Sequence, residues 1–393
     1  MELRLTPEQS LLRDSAAKFV AGAGAKVARG FRNRIPPFDP ARLRAAGEFG
    51  WLGILVPASA GGLGLTLTEL ALMLEQAGLG LVCEPVGFAA ISAAALSHEH
   101  VPQTPTPPSP ASGGGIKGGG SLRKRTCSNK EHPMLKPVMT GAALVVPALQ
   151  EGPHGDDPLE PGMRAAGQGG ALRLSGRKMF VCADGAKGFL VSAGGADGPI
   201  LCYVPRDAPG CTISAASTVE GRRLATLTLA DSPADLVPAH PSSRNAVDAL
   251  YNLALFALAC ELLGVMAKAQ AITLDYLRLR KQFGKPIGSF QAVAHQAVNM
   301  YIRVEAVRSL IFAIAANNDP WRIDPVMAVA AKAKASEEAL AVTQGAIQLH
   351  GAIGFTDEHE IGLYLKRAML LSSLLGNAAA QRRRYAELAG LRA

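Results

Sequence analysis

From Ala246 onward, apolar residues recur at helical spacing, interrupted only at Gly284/Pro286, at Asn317 to Asp324 and at Gly351 to Gly354. Four long helical segments joined by short breaks are the pattern of a four-helix bundle. No other feature constrains the fold as much, because amphipathic helices of that length have to bury their apolar stripes against one another.

The rest of the chain has two further textures. At the amino end Thr6 can cap a helix, Pro7 fits its first position, Gln9 completes a capping box, and Leu11, Leu12, Ala16 and Val20 follow at helical spacing. A second helical region around Pro40 to Gly50 leads into Trp51-Leu52-Gly53-Ile54-Leu55-Val56-Pro57, then Gly61-Gly62-Leu63-Gly64 and a helix from about Thr66 to Gly78. The glycine loop has no preceding strand of a βαβ unit, so it reads as a turn and not as a phosphate loop. From Ala142 to about Pro238 the pattern changes to short apolar or alternating runs between Gly, Pro and Asp. Ala143-Leu144-Val145-Val146, Ala171-Leu172-Arg173-Leu174, Phe189-Leu190-Val191-Ser192 and Ile200-Leu201-Cys202-Tyr203-Val204 predict a small β-domain. The fold class expected is α+β, mainly α: a helical domain over 1–140, a central β-domain over 141–238 and the bundle over 239–393. Residues 101–133, rich in Pro, Gly and Ser and carrying the basic run Arg123-Lys124-Arg125, lack periodicity and fit either an insertion without order or a shifted reading frame.

Of the residues 48% are hydrophobic but only 5% aromatic, which suits helices packed closely on small side chains. The six cysteines are scattered, with no CxxC pair and no metal-ligand spacing, and read as reduced thiols in a cytoplasmic protein. Met1-Glu2-Leu3-Arg4-Leu5 has no signal-like pattern, and no membrane span is expected. The net charge of +8 is dispersed without aromatic interleaving, which excludes a nucleic-acid groove and suits a phosphate-rich small molecule.

Two motifs carry chemistry. Arg280-Lys281-Gln282-Phe283-Gly284-Lys285-Pro286-Ile287-Gly288-Ser289-Phe290-Gln291 places a basic cluster at the negative end of a helix, stops it with Gly284 and Pro286, and offers Ser289 as a cap for the next. The arginine is suited to a two-pronged grip on a diphosphate. Gln348-Leu349-His350-Gly351-Ala352-Ile353-Gly354-Phe355-Thr356 combines an amide that donates and accepts with a glycine that lets a ligand reach the backbone. Thr356 to Glu360 reads as a charged helix start running on to Arg367.

Together these motifs resemble the carboxy-terminal domain of the acyl-CoA dehydrogenases, flavoenzymes that oxidise the α,β bond of a CoA thioester. The Trp51 to Gly64 segment is similar to their amino-terminal helical domain. The resemblance implies FAD as cofactor, an acyl-CoA substrate, an electron-transfer acceptor, and a flavin site shared between subunits. Arg280, Phe283 and Gln291, with Gln348 and Gly351, match the residues that hold the ADP half of a neighbour's flavin. The catalytic glutamate that precedes a glycine in many members is Leu375 here, before Gly376. The alternative position of a second branch is Ala254, and Glu261 lies two helical turns later, a fallback base. In the ring-binding segment, Ala148-Leu149-Gln150-Glu151-Gly152-Pro153-His154-Gly155-Asp156-Asp157 keeps Glu151 but not the usual Thr and Gly-Ser, and Phe180-Val181-Cys182-Ala183 loosely echoes a later flavin contact. A preserved clamp without a base resembles the partner subunit of heteromeric dehydrogenases of the steroid side-chain type. Two other readings stay open: a self-sufficient homo-oligomer using Glu261, and a non-catalytic CoA- or flavin-binding homologue.

Overall fold

A computed structural model describes residues 5–97, 131–153, 155, 157–167, 172–238 and 245–391. The anomalous 101–133 stretch lies outside the described residues up to position 130, as does Cys127.

The amino-terminal part is helical: α1 (Pro7–Ala21), α2 (Ala25–Gly30), α3 (Pro40–Glu48), α4 (Leu67–Leu79), α5 (Val86–Leu96) and α6 (Leu135–Met139). The Thr6 hydroxyl accepts from the Gln9 N–H and the Gln9 side chain accepts from the Thr6 N–H, so α1 begins on the predicted capping box. Thr66 and Glu69 do the same for α4. Gly61 and Gly64 are left-handed, at φ 80° and 60°, in a turn before α4.

The central strands are β1 (Val145–Ala148), β2 (Arg164–Ala166), β3 (Leu172–Val181), β4 (Gly188–Gly195), β5 (Gly198–Pro205), β6 (Cys211–Ser217) and β7 (Arg223–Val237). β4 pairs with both β2 and β5, so β2, β3, β7, β5 and β4 close into a small barrel with β1 and β6 outside it.

The third part holds α7 (Ala246–Leu279), a hairpin of β8 (Lys281–Gln282) and β9 (Lys285–Pro286), then α8 (Gln291–Asn317), α9 (Pro325–His350), α10 (Ile361–Ser373) and α11 (Ala378–Leu388). The three expected breaks are present. The fourth segment is split once more, because Leu375 and Gly376 are both left-handed, at φ 56° and 94°, and Asn377 then caps α11. Two local expectations are corrected. The Ser289 hydroxyl donates to the Pro286 carbonyl at 2.7 Å and leaves α8 without a side-chain cap. Thr356 to Glu360 precede α10 and do not form its first turn: Asp357 is bound by Arg32 at 2.8 and 2.9 Å, which ties this loop to the end of α2.

Small residues permit close packing, as the composition implies. α4 and α7 cross at Gly78 and Gly264, where a β-carbon on Gly264 would lie 1.9 Å from the Glu75 carbonyl oxygen. Among the described residues, α7 alone is long and apolar enough to cross a bilayer, and 94% of its most apolar window is buried, so it is the core of the bundle.

Candidate functional site

The five residues expected to bind a cofactor gather at one end of the bundle. The Ile287 N–H donates to the Arg280 carbonyl at 2.8 Å, folding the hairpin back onto the end of α7. At its tip Phe283 (φ 51°) is 93% exposed, with its ring 6.1 Å from that of Phe290 beside Gln291. Tyr276, one turn before Arg280, stacks on His350 at 4.5 Å and brings in the end of α9 with Gln348 and Gly351. Arg280, Gln291 and Gln348 are exposed. Gly351 is left-handed (φ 65°), and a β-carbon there would meet nothing within 4 Å. The result is an open, basic ledge with amide groups and free backbone, chemistry that suits a diphosphate and a nucleotide edge.

Leu375 lies at the opposite end of α7. Its carbonyl accepts from the Tyr251 hydroxyl at 3.2 Å and from Gln381, and its N–H donates to Gln150 Oε1 at 2.8 Å. Tyr251 and Tyr276 are separated along α7 by roughly 38 Å, at about 1.5 Å per residue. The loop is fixed on both flanks by Lys332, whose buried ammonium donates to the carbonyls of Ser372 and Gly376, each at 3.1 Å, and to Ser336 at 2.9 Å. Gly155 and Asp157 lie directly on it: a β-carbon on Gly155 would come within 2.7 Å of Gly376 Cα, and Asp157 pairs with Arg384 at 2.9 Å. What is left between Leu375, Gln150, Phe180 and Cys182 is a space of about 20 Å³. Glu151, read from sequence as a remnant of a flavin-contacting segment, turns instead into the barrel, where it binds Lys178 at 2.5 Å and the N–H of Met163 at 3.0 Å.

Glu261 is not a free carboxylate. It faces the interior from α7 and is bound at 2.8 Å by Nη1 of Arg367, a wholly buried residue that also binds Glu220 and the Val82 carbonyl. Ala254 is buried.

Profiles of the acyl-CoA dehydrogenase N-terminal and C-terminal domains match residues 6–98 and 247–389. The Tcur3481-Tcur3483 steroid ACAD variant superimposes with a TM-score of 0.84 and 30% identity, covering 98% of each chain. This chain belongs to the acyl-CoA dehydrogenase family. The ChsE4-ChsE5 complex from Mycobacterium tuberculosis shares the fold, with a TM-score of 0.82 at 23% identity over the whole of both chains. Among curated proteins, acyl-CoA dehydrogenase IpdE2 of Mycolicibacterium smegmatis is 33% identical over 177 residues, a match that spans 45% of this chain and 55% of that protein.

Sequence reasoning within this family had no handle on Lys332. Burial pulls the Lys332 ammonium down to about 7. The unfolded chain therefore holds more protons than the folded one between about pH 7 and the ordinary lysine range near 10.4, and the penalty for burying this lysine fades as pH rises through that window. Relative to Lys332→Met, the wild-type chain is expected to gain stability from pH 6 to pH 9.5. Urea midpoints of the two proteins at both pH values check this, and a constant difference would exclude a buried titrating amine.

Proposed function

We propose that this chain is the subunit of a heteromeric, FAD-dependent acyl-CoA dehydrogenase that lacks the catalytic base, and that a homologous subunit provides the carboxylate and the ring pocket. The observation that carries this reading is Leu375, locked by Gln150, Tyr251 and Gln381 at the far end of α7 from the open ledge. The ledge fits the ADP half of FAD: Arg280 for the diphosphate, Gln291 and Gln348 for hydrogen bonds, Gly351 for close approach of the backbone, and Phe283 as an exposed apolar contact. The ring half does not fit in this chain, since about 20 Å³ is left where ligand clefts start at roughly 300 Å³. FAD, when bound, supplies the acceptor for the hydride that leaves the β-carbon. This chain's residues bind and orient the nucleotide, and its leucine cannot take the α-proton.

The similarity to a steroid ACAD named for two chains extends the proposal to a steroid-type or lipid acyl-CoA substrate, with an electron-transfer acceptor and a cytoplasmic setting. The division at 140 and 238 belongs to the same reading, with the amino-terminal and central parts as the substrate-facing side. A self-sufficient homo-oligomer needs Glu261 free, whereas Arg367 holds it.

To test the proposal, the chain is purified alone and together with a homologous chain encoded beside it. Flavin absorbance and anaerobic reduction by acyl-CoA are expected only from the pair. Full flavin and acyl-CoA oxidation from the chain by itself would overturn it.

A further inference from the structure

Where α7, α9 and the loop before α10 meet at the nucleotide ledge, a histidine is sealed in with one ring nitrogen left without a partner. His350 ends α9 and is 3% exposed. Its Nδ1 lies 2.7 Å from the Ala346 carbonyl oxygen, which can only accept, so the proton of the neutral ring sits on Nδ1. Nε2 is then a lone pair, and among the described residues it meets no hydrogen-bond partner. Tyr276 stacks on the ring from α7 and His359 leans on it from the loop before α10, each with its centroid at 4.5 Å. The turn that carries Gly351 packs on the same residue. The Gly351 N–H donates to the Gln348 carbonyl, and a β-carbon on the buried Gly354 would lie 3.0 Å from His350 Cβ. Gln348 and Gly351, both residues of the ledge, are thus set by how His350 packs.

We propose that His350 is a positioning residue for the nucleotide: its neutral ring holds the 351–355 turn closed on the ledge, and uptake of a proton opens the turn and releases the nucleotide. The inference rests on the reading of the ledge as a nucleotide site but not on which subunit carries the base. A proton taken up at Nε2 would be a buried donor with nothing to accept it, so the ring has to leave its niche to carry one. Burial holds the ring below the ordinary histidine range; the Ala346 bond pulls partly the other way, and His359 adds to the lowering. The charged groups on the surrounding elements are Arg280, one turn after Tyr276 on α7, Glu358 and Glu360 on either side of His359, and Arg29 of α2. Arg29 is spent on the carbonyls of Asp357 and Glu358, at 2.7 and 3.1 Å. The tether of that loop to α2 does not titrate in the same window, because Arg32 holds the Asp357 carboxyl down to about 2. Linkage sets the sign. The closed turn keeps the ring neutral, whereas the open turn lets it protonate near about 6.5, so closure is fully favoured above that value and loses ground as pH falls.

The test follows the full chain alone by amide hydrogen exchange, corrected for intrinsic rates, and the chain with its homologous partner by FAD titration, both at pH 5.5 and 7.5. The N–H groups of Gly351 and Thr356, bonded to the Gln348 and Ile353 carbonyls, report on the turn. They are expected to exchange faster at pH 5.5, and the FAD dissociation constant of the pair to rise by up to about tenfold for each pH unit below about 6.5. His350→Phe keeps a flat ring between Tyr276 and His359 but cannot take a proton, and in it both differences are expected to vanish. A purely structural role for His350 would produce neither. Equal exchange of the turn at the two pH values in the wild-type chain, which needs no variant to fold, overturns the assignment. So do differences that persist in His350→Phe. The two ideas fail separately. A turn that opens at pH 5.5 in a chain that takes up no FAD under any pairing supports the role of His350 and refutes the shared flavin alone. A pair that binds FAD equally well at both pH values refutes the role of His350 alone.

Discussion

Replacing Arg367 with methionine is expected to destabilise the chain by about 3–5 kcal/mol, the usual cost of removing one partner from a buried ion cluster. The guanidinium is 0% exposed and joins three parts of the molecule: Glu220 before β7, Glu261 on α7, and the Val82 carbonyl between α4 and α5. Without it two carboxylates share one interior site, left with Arg222, 3.5 Å from Glu220, and the weaker pull of Arg32. The pH dependence has a definite sign. Burial pushes the Glu220 carboxyl up, but Arg222 and Arg367 outweigh it and hold the group below the usual glutamate range. Such a group contributes stability above its unfolded pKa, near 4.3, and loses it as the pH falls through the lower folded value. In the variant the remaining pull on Glu220 is weaker, so the loss is greatest at pH 7 and shrinks toward pH 4 as Glu220 protonates. Urea midpoints at the two pH values measure this. An equal loss at both would mean that Arg367 acts through packing and not through charge. Glu261→Gln, which leaves Glu220 paired, is expected to cost less.

The same cluster shows how the sequence both reveals and hides structure. Glu261 is the one charged residue in the run from Ala249 to Ala267 of α7, and Arg367, next to Lys366, sits in the otherwise mostly apolar Leu363 to Leu371 stretch. A charge buried in an apolar helix has to find an opposite partner, so a partner for Glu261 was to be expected, although the sequence does not choose between Lys366 and Arg367. The helices and their caps were legible because period and capping chemistry are local. That Arg280 to Gln291 would lie together on an exposed ledge was legible because the stretch is contiguous. The lock on Leu375 was not: Gln150, Tyr251, Lys332 and Gln381 come from four distant segments and act on backbone atoms, for which spacing gives no rule. β2, β6 and β7 also escaped notice. β2 is only three residues long, β6 alternates without a strong apolar face, and β7 contains Asp231, Ser232 and Pro233 at an irregular register.

Leu375→Glu, which restores the residue usual in the family, is expected to yield no acyl-CoA oxidation from the isolated chain and to cost about 3 kcal/mol or more in stability. The side chain is 9% exposed, beside Phe88, Leu149, Phe180 and Leu374. Among the described residues, the cations closest to that loop are already engaged. Lys332 is engaged by the carbonyls of Ser372 and Gly376, and Arg384 by Asp157. The backbone is held left-handed at φ 56° by bonds to its own N–H and carbonyl, so the loop cannot turn the new group toward a ligand without breaking them. Nor does the substitution make room: Gly155 still rests on Gly376, and the adjoining space remains about 20 Å³. Adding Gln150→Ala frees the N–H at position 375 but leaves that contact in place, so the double variant is expected to be equally inert by itself. Anaerobic mixing with acyl-CoA, followed at the flavin absorbance, separates the possibilities. Flavin bound and reduced by the isolated Leu375→Glu chain would show that the loop yields and that one substitution had disabled a complete site. Flavin that still requires the partner would place the division between subunits in the whole wall around residue 375, with the missing carboxylate as one part of it.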